Sequence, residues 1–157
     1  MKKPPLLISA CLAGKNCRYD ASSATLSCLA ELREHYELIE VCPEQLGGLL
    51  TPRPCTELVK ERVLTKDALD FTEQFLSGAK KALLIAQLQA CNIALLMERS
   101  PSCGSHTVYD GTFSGTLIEG EGVFAHLLRQ MGFAIYTAQT IEVLMKANTA
   151  WCESEPR

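Results

Sequence analysis

The sequence lacks the patterns that mark several common classes of protein. No apolar run is long enough to cross a membrane, and the N-terminal run after Lys2 and Lys3 is too short for a signal peptide. The net charge of −3 over 157 residues argues against a dedicated nucleic-acid-binding protein. Neither GxGxxG nor GxxxxGK[ST] occurs, which argues against a plain nucleotide-binding domain. We therefore expect a cytoplasmic protein of one domain, residues 1–157.

Cysteine is abundant, but no CxxC pair occurs, so the thioredoxin-type motif and the usual zinc-ribbon knuckles are excluded. Without a secretion signal, reduced thiols are the default, and metal binding or catalysis explains them better than disulfides do. Any such site must draw its thiols from distant parts of the chain. The eight cysteines are Cys11, Cys17, Cys28, Cys42, Cys55, Cys91, Cys103 and Cys152.

Short apolar runs alternate with helical patterns along the chain. This alternation predicts an α/β fold: a single-domain, largely parallel Rossmann-like sheet with helices on both faces. The predicted strands are Leu6–Ala10, Leu38–Val41, Ile93–Met97 and Phe133–Tyr136. Four helices are predicted. The first starts after a cap at Ser22 or Ser23, the second runs from about Phe71 to Ala90, the third carries Val123 to Met131, and the fourth starts near Thr140 with Val143, Leu144 and Ala147 on one face. Glu57–Thr65 is predicted to be a small hairpin.

Three cysteines follow three predicted strands. Cys11 and Cys42 come directly after the first and second strands, and Cys103 lies in the loop beyond the third. Because ligands of open α/β sheets bind outside the carboxyl ends of the strands, we expect these thiols to meet in one pocket. The remaining cysteines are expected to be small buried hydrophobes (Cys28, Cys91 and Cys152) or bystanders near the site (Cys17 and Cys55).

Three thiolates of this kind could hold zinc with a water molecule, or a four-iron cluster with one iron open, and the spacing does not decide between them. Glu44 follows Cys42 by two residues and should lie within reach of the metal. Ser100 and Ser102 flank Cys103. Arg18, Tyr19 and Asp20 could face the same pocket, and the polar loop from Tyr109 to Gly115 could close over a substrate. His106 is a possible ligand or acid. Arg53 could hold an anion, although an exposed position is commoner for such an arginine.

Several motifs in order over residues 5 to 140 resemble the thiouracil desulfidase family. They are Ser9-Ala10-Cys11-Leu12-Ala13-Gly14, Cys17-Arg18-Tyr19-Asp20, Cys42-Pro43-Glu44-Gln45-Leu46-Gly47-Gly48, Thr51-Pro52-Arg53-Pro54, Glu98-Arg99-Ser100-Pro101-Ser102-Cys103-Gly104 and Tyr109-Asp110-Gly111-Thr112-Phe113-Ser114-Gly115. Cys55 departs from the pattern, and Cys17 is not a residue that the family needs.

The resemblance implies a [4Fe–4S] cluster held by Cys11, Cys42 and Cys103, with one iron open to the sulfur of the substrate. The implied reaction is the non-redox, hydrolytic conversion of a thiolated pyrimidine to its oxo form with release of sulfide. Its acid and base candidates are Glu44, Ser100 and Ser102. The chain is too short for the second domain of relatives that act on tRNA, which makes a free base, nucleoside or nucleotide the expected substrate.

Two other readings remain open at this point. The same thiolates could serve a zinc-dependent hydrolase, or the protein could carry sulfur or a cluster without catalysis. The expected partner is a small thiolated base or nucleotide, with no membrane and no dedicated nucleic-acid domain, in a monomer or homodimer.

Overall fold

The computed structural model describes residues 2–146. The strands in chain order are β1 (Pro5–Ser9), β2 (Glu37–Val41), β3 (Thr56–Val59), β4 (Arg62–Thr65), β5 (Ile93–Leu95), β6 (Thr107–Tyr109), β7 (Leu117–Glu119) and β8 (Ala134–Tyr136). The helices are α1 (Leu29–His35), α2 (Pro43–Leu46), α3 (Thr72–Leu88) and α4 (Val123–Gln130), with short 3₁₀ segments at Ala10–Ala13 and Ala138–Thr140. Residues 141–146 are also helical. No helix within residues 2–146 has the length and apolar character needed to cross a membrane.

The four predicted buried strands form one parallel sheet in the order β2-β1-β5-β8. Leu6, Leu7 and Ile8 of β1 alternate between the two faces of the sheet and are fully buried. Leu7 packs on the side of α3 and α4, together with Ala82 and Phe124. Leu6 and Ile8 pack on the other side with residues of α1 and of the helical residues 141–146. The prediction of a parallel α/β sheet with helices on both faces is confirmed.

Two antiparallel hairpins accompany the sheet. The β3–β4 hairpin, paired from Thr56↔Thr65 to Val59↔Arg62, is the one predicted from the sequence. The β6–β7 hairpin was not predicted, because strands of three residues are too short to display an alternating pattern.

Helix α3 lies unusually close to the short helix α2 that follows Cys42. A Cβ added to Gly78 would overlap the Pro43 carbonyl oxygen, and one added to Gly47 would overlap the Gln74 carbonyl oxygen. Two glycines therefore allow the backbones to meet, and this contact fixes the position of α2.

The predicted start of the first helix is wrong. The helix begins at Leu29, and Ser22 instead donates to the Asp20 carboxylate. The segment before the helix is irregular, and its backbone bonds the 3₁₀ segment: the N–H groups of Ala24 and Leu26 donate to the carbonyls of Cys11 and Leu12. The last predicted helix begins close to Thr140 as expected, whereas Ala147 and Cys152 lie outside the described residues.

Candidate functional site

The carboxyl ends of β1, β2 and β5 open onto one cavity of about 590 Å³. Cys11, Cys42 and Cys103 all line it, although the last two are 61 positions apart in the chain. Cys11 and Cys103 are 7% and 5% exposed. The predicted meeting of these three segments at one edge of the sheet is therefore present, and Cys17 and Cys55 line the same cavity.

Local hydrogen bonds hold each thiol-bearing segment in place. After β1, the Gly14 N–H donates to the Cys11 carbonyl, and Gly14 adopts a φ of 99°, which suits glycine. After β2, Cys42 is extended and Pro43 begins α2. After β5, the Ser100 Oγ accepts the N–H group of Cys103 at 3.0 Å, which closes a tight turn around that cysteine.

Cys17 is more central to the site than the sequence indicated. It is 4% exposed, and its thiol interacts with the thiols of both Cys11 and Cys42. The Cys42 Sγ also donates to the Cys17 carbonyl oxygen at 3.8 Å. Cys17, which was predicted to be a bystander, therefore interacts with two of the three thiols that were predicted to meet in the pocket.

The environments of Cys42 and Cys103 disfavour the thiolate forms of these two residues. Burial raises the pKa of Cys103 to about 12, against the effect of the Ser9 and Ser102 hydroxyls. The pKa of Cys42 is also raised, first by its hydrogen bond with Cys17 and then by burial. A thiolate in this cavity therefore needs a positively charged partner to be stable.

Glu44 lies in the cavity wall as part of a buried ion pair. The Arg53 Nε donates to Glu44 Oε1 at 3.0 Å, and the side chains of Arg53 and Glu44 are 5% and 16% exposed. Burial raises the pKa of Glu44, and the charge of Arg53 opposes that rise. The alternative that Arg53 is exposed is wrong. Its side chain is buried, and Glu44 and nearby backbone carbonyls compensate its charge.

The two candidate serines occupy different positions. Ser100 lines the cavity, and its oxygen accepts the N–H groups of Ser102 and Cys103, so its own proton remains available to donate. Ser102 is 1% exposed and does not line the cavity. Its Oγ has no partner with ordinary hydrogen-bond geometry within the described chain, although it lies close enough to Cys103 to favour the thiolate.

Of the other candidate residues, some line the cavity and some lie outside it. Arg18, Tyr19, Tyr109 and Gly115 line the cavity. Asp20 does not line it and bonds Ser22 instead, and His106 lies outside with a side chain 66% exposed.

One buried carboxylate in the cavity wall was missed by the sequence analysis. Glu57 is 6% exposed and accepts the N–H groups of Gly111 and Phe113 at 3.0 and 3.1 Å, so it anchors the loop between β6 and β7. A glutamate in a strand of a small hairpin carries no sequence signal for this role.

The donor set bears on the kind of metal centre the cavity could hold. Residues 2–146 contain no group of three or more His, Cys, Asp or Glu side chains arranged to hold a metal ion. A cluster of several irons is wider than one ion, and cysteine thiolates are its usual ligands. Thiols from three separate loops, with the unpartnered Ser102 hydroxyl beside one of them, fit such a cluster as donors of sulfur and of a hydrogen bond.

The fold and the cavity define an α/β protein with a thiol-lined site and a buried carboxylate at the carboxyl edge of its sheet. The chain belongs to the 2-thiouracil desulfurase family, whose sequence profile matches residues 6–140. It is 35% identical over 150 residues to the uncharacterized protein YbbK of Bacillus subtilis (strain 168), covering 89% of this chain and 99% of that protein. Among solved structures it is similar to the [4Fe-4S]-dependent thiouracil desulfidase TudS, with 39% identity, a TM-score of 0.88 and coverage of 94% and 99% of the two chains.

Proposed function

We propose that this protein is a [4Fe–4S]-dependent desulfidase that converts a thiolated pyrimidine, such as thiouracil or a thiouridine nucleotide, into its oxo form and releases sulfide. The observation that carries the proposal is the meeting of Cys11, Cys42 and Cys103 in one cavity with Glu44 in its wall. Membership of the 2-thiouracil desulfurase family and the similarity to TudS support the same reaction.

Cys11, Cys42 and Cys103 would hold the cluster. With one iron left open to the cavity, the cluster would supply a thiophilic Lewis acid for the thiocarbonyl sulfur of the substrate. The thiols of the described residues form no disulfides, which suits a reducing compartment such as the cytoplasm.

Glu44 is the proposed general base. Arg53 holds one of its carboxylate oxygens, and the second oxygen has no recorded hydrogen-bond partner within residues 2–146. That oxygen is available to take a proton from the water that attacks the ring carbon, a contribution of about a hundredfold or more.

Ser100 is the proposed proton donor to the ring nitrogen, because two N–H groups anchor its oxygen and its own proton has no hydrogen-bond acceptor within residues 2–146. Ser102, which lies behind Cys103, is better placed to donate to that thiolate than to reach a substrate. The net reaction exchanges sulfur for the oxygen of one water molecule: the thiocarbonyl becomes a carbonyl, and hydrogen sulfide leaves. No electrons are gained or lost, so no reductase is required.

A sulfur or cluster carrier is the second candidate. The position of Cys17 beside Cys11 and Cys42 favours it, since a fourth thiol could complete the ligand set of a cluster and leave no iron open.

One experiment separates these functions from each other and from a zinc-thiolate hydrolase. Anaerobically purified protein is analysed for iron, acid-labile sulfide and zinc, and is then incubated with thiouracil, thiouridine and thiouridine monophosphate. We expect iron and labile sulfide, with sulfide and oxo product released in equal amounts from at least one compound. Cluster-loaded protein that releases no sulfide from any of them would favour the carrier, and zinc without iron would favour the hydrolase.

A further inference from the structure

Arg53 joins the loop of Cys17 to the segment that carries Cys42 and Glu44. Its Nη2 donates to the Cys17 carbonyl at 2.7 Å, and its Nε donates to Glu44 Oε1 at 3.0 Å. Its Nη1 donates to Thr51 Oγ1 at 2.8 Å and to the Leu50 carbonyl at 3.2 Å. All three guanidinium nitrogens therefore have protein partners, although Arg53 stands between two prolines in a loop.

These hydrogen bonds distinguish between two roles for a buried arginine in a cavity wall. An arginine that binds the anionic part of a substrate must keep donors free to make bidentate contacts. Four of the five N–H groups of Arg53 donate to protein acceptors, and its side chain is 5% exposed, so the one remaining N–H group cannot make a bidentate contact. Its geometry suits the fixing of neighbouring groups rather than the capture of a substrate.

We propose that Arg53 is a positioning residue that sets the orientation of the Glu44 carboxylate for proton transfer, an inference that rests on the proposed function of Glu44. The bond to Oε1 turns the carboxylate so that only its second oxygen remains for water. The planar guanidinium also fixes that carboxylate relative to the Cys17 carbonyl, because one side chain bonds both groups. Arg53 therefore couples the position of the base to the loops that carry the thiols.

Substitution of Arg53 by lysine distinguishes a positioning role from a purely electrostatic one. Lysine keeps the positive charge, but a single ammonium cannot reach Glu44, Thr51 and Cys17 with the angles of a planar fork. A purely electrostatic role predicts that Arg53→Lys is nearly wild type. Positioning predicts that it is impaired, though less than Arg53→Met.

The experiment compares anaerobically purified, cluster-loaded wild-type protein with R53K, R53M, E44Q and the double variant R53M/E44Q. Sulfide release gives kcat and KM, and iron is measured on the same samples. A misplaced base costs on the order of a hundredfold, so we expect kcat of R53M to fall about a hundredfold and that of R53K about tenfold. KM and iron content should stay near the wild-type values, because neither the substrate nor the cluster is bound by Arg53.

The double variant tests whether Arg53 acts through Glu44. If it does, R53M/E44Q releases sulfide no more slowly than E44Q alone. Arg62→Met is the matched control, because Arg62 also pairs with a carboxylate, Asp70 at 2.9 Å, but on an exposed part of the β3–β4 hairpin. Its kcat should equal that of the wild type.

Crystal structures of wild-type and R53M protein supply a readout that does not depend on activity. We expect the Glu44 carboxylate of R53M to move or to occupy more than one rotamer. An unmoved carboxylate, a near-normal kcat in R53M, or loss of iron in parallel with loss of activity would overturn the positioning role. Wild-type protein that carries the cluster but releases no sulfide would instead overturn the proposed function, and the crystal structures would still test how Arg53 holds Glu44.

Discussion

The two ends of the central sheet bury cysteines to nearly the same extent but in very different surroundings. At the amino end of β5, Cys91 is 8% exposed and packs in the apolar cluster of α3 and α4, where burial raises its pKa to about 11. At the carboxyl end, Cys103 is 5% exposed, and burial raises its pKa to about 12. Burial and a shifted pKa therefore do not identify the functional thiol.

The two ends of the sheet differ in the reactive and charged side chains that meet there. The carboxyl end brings together thiols from three loops, a buried glutamate and the arginine that holds it. Cys91 shares an apolar cluster with Cys103, but it does not line the cavity, and its pKa is raised by burial and by the carboxylate of Glu37. Convergence of segments that are distant in the chain is the feature that marks the site.

The largest expected effect comes from removing the base at the carboxyl end. Glu44→Gln keeps the shape of the side chain but cannot take a proton, so kcat should fall about a hundredfold or more while the iron content stays unchanged. Sulfide release and iron are measured on the same anaerobic sample. Glu37→Gln is the matched control at the amino end, where Glu37 acts electrostatically on Cys91, and it should leave kcat unchanged. A normal kcat in Glu44→Gln would contradict the assignment of Glu44 as the general base.

The second prediction concerns the close contact that positions Cys42. Alanine normally stabilises a helix relative to glycine, but a Cβ at Gly78 would overlap the Pro43 carbonyl. Gly78→Ala should therefore lower the free energy of unfolding by about 1 to 3 kcal/mol, as overpacking does. Ser77→Ala, one position earlier on α3, should leave it nearly unchanged. Denaturant unfolding measures both, and a stabilised Gly78→Ala would show that α2 can move away from α3 at no cost.

The smallest effect is expected at the amino end. Cys91→Ala removes one sulfur from a packed cluster and should cost about 1 kcal/mol of unfolding free energy, without loss of iron. Thermal unfolding and iron analysis of the same preparation test this. Loss of iron in Cys91→Ala would mean that the two ends are not separate in function.

The fold was predictable where side chains are buried on both faces of the sheet. Leu6, Leu7 and Ile8 form an apolar run because each contacts helices on one side or the other. The start of α1 was not predictable, because the serines that resemble caps are used in a loop that bonds the 3₁₀ segment. The β6–β7 hairpin was missed because its strands have three residues each.

The part of the site that follows from strand ends was the most predictable part. Cys11 and Cys42 stand directly after buried strands, so their shared edge follows from a parallel sheet. Cys17 and Arg53 are placed by the packing of two loops against each other, and no local pattern encodes that contact. The β3–β4 hairpin was predicted, but the use of Glu57 to anchor the neighbouring loop depends on tertiary contacts alone.

The most direct test of the account is the iron and acid-labile sulfide content per chain of anaerobically prepared cysteine variants. We expect Cys11→Ser, Cys42→Ser and Cys103→Ser each to lose most of both, and Cys91→Ala to retain the wild-type amounts. Wild-type iron and sulfide in any one of the first three variants would contradict the proposal that these thiols hold the cluster.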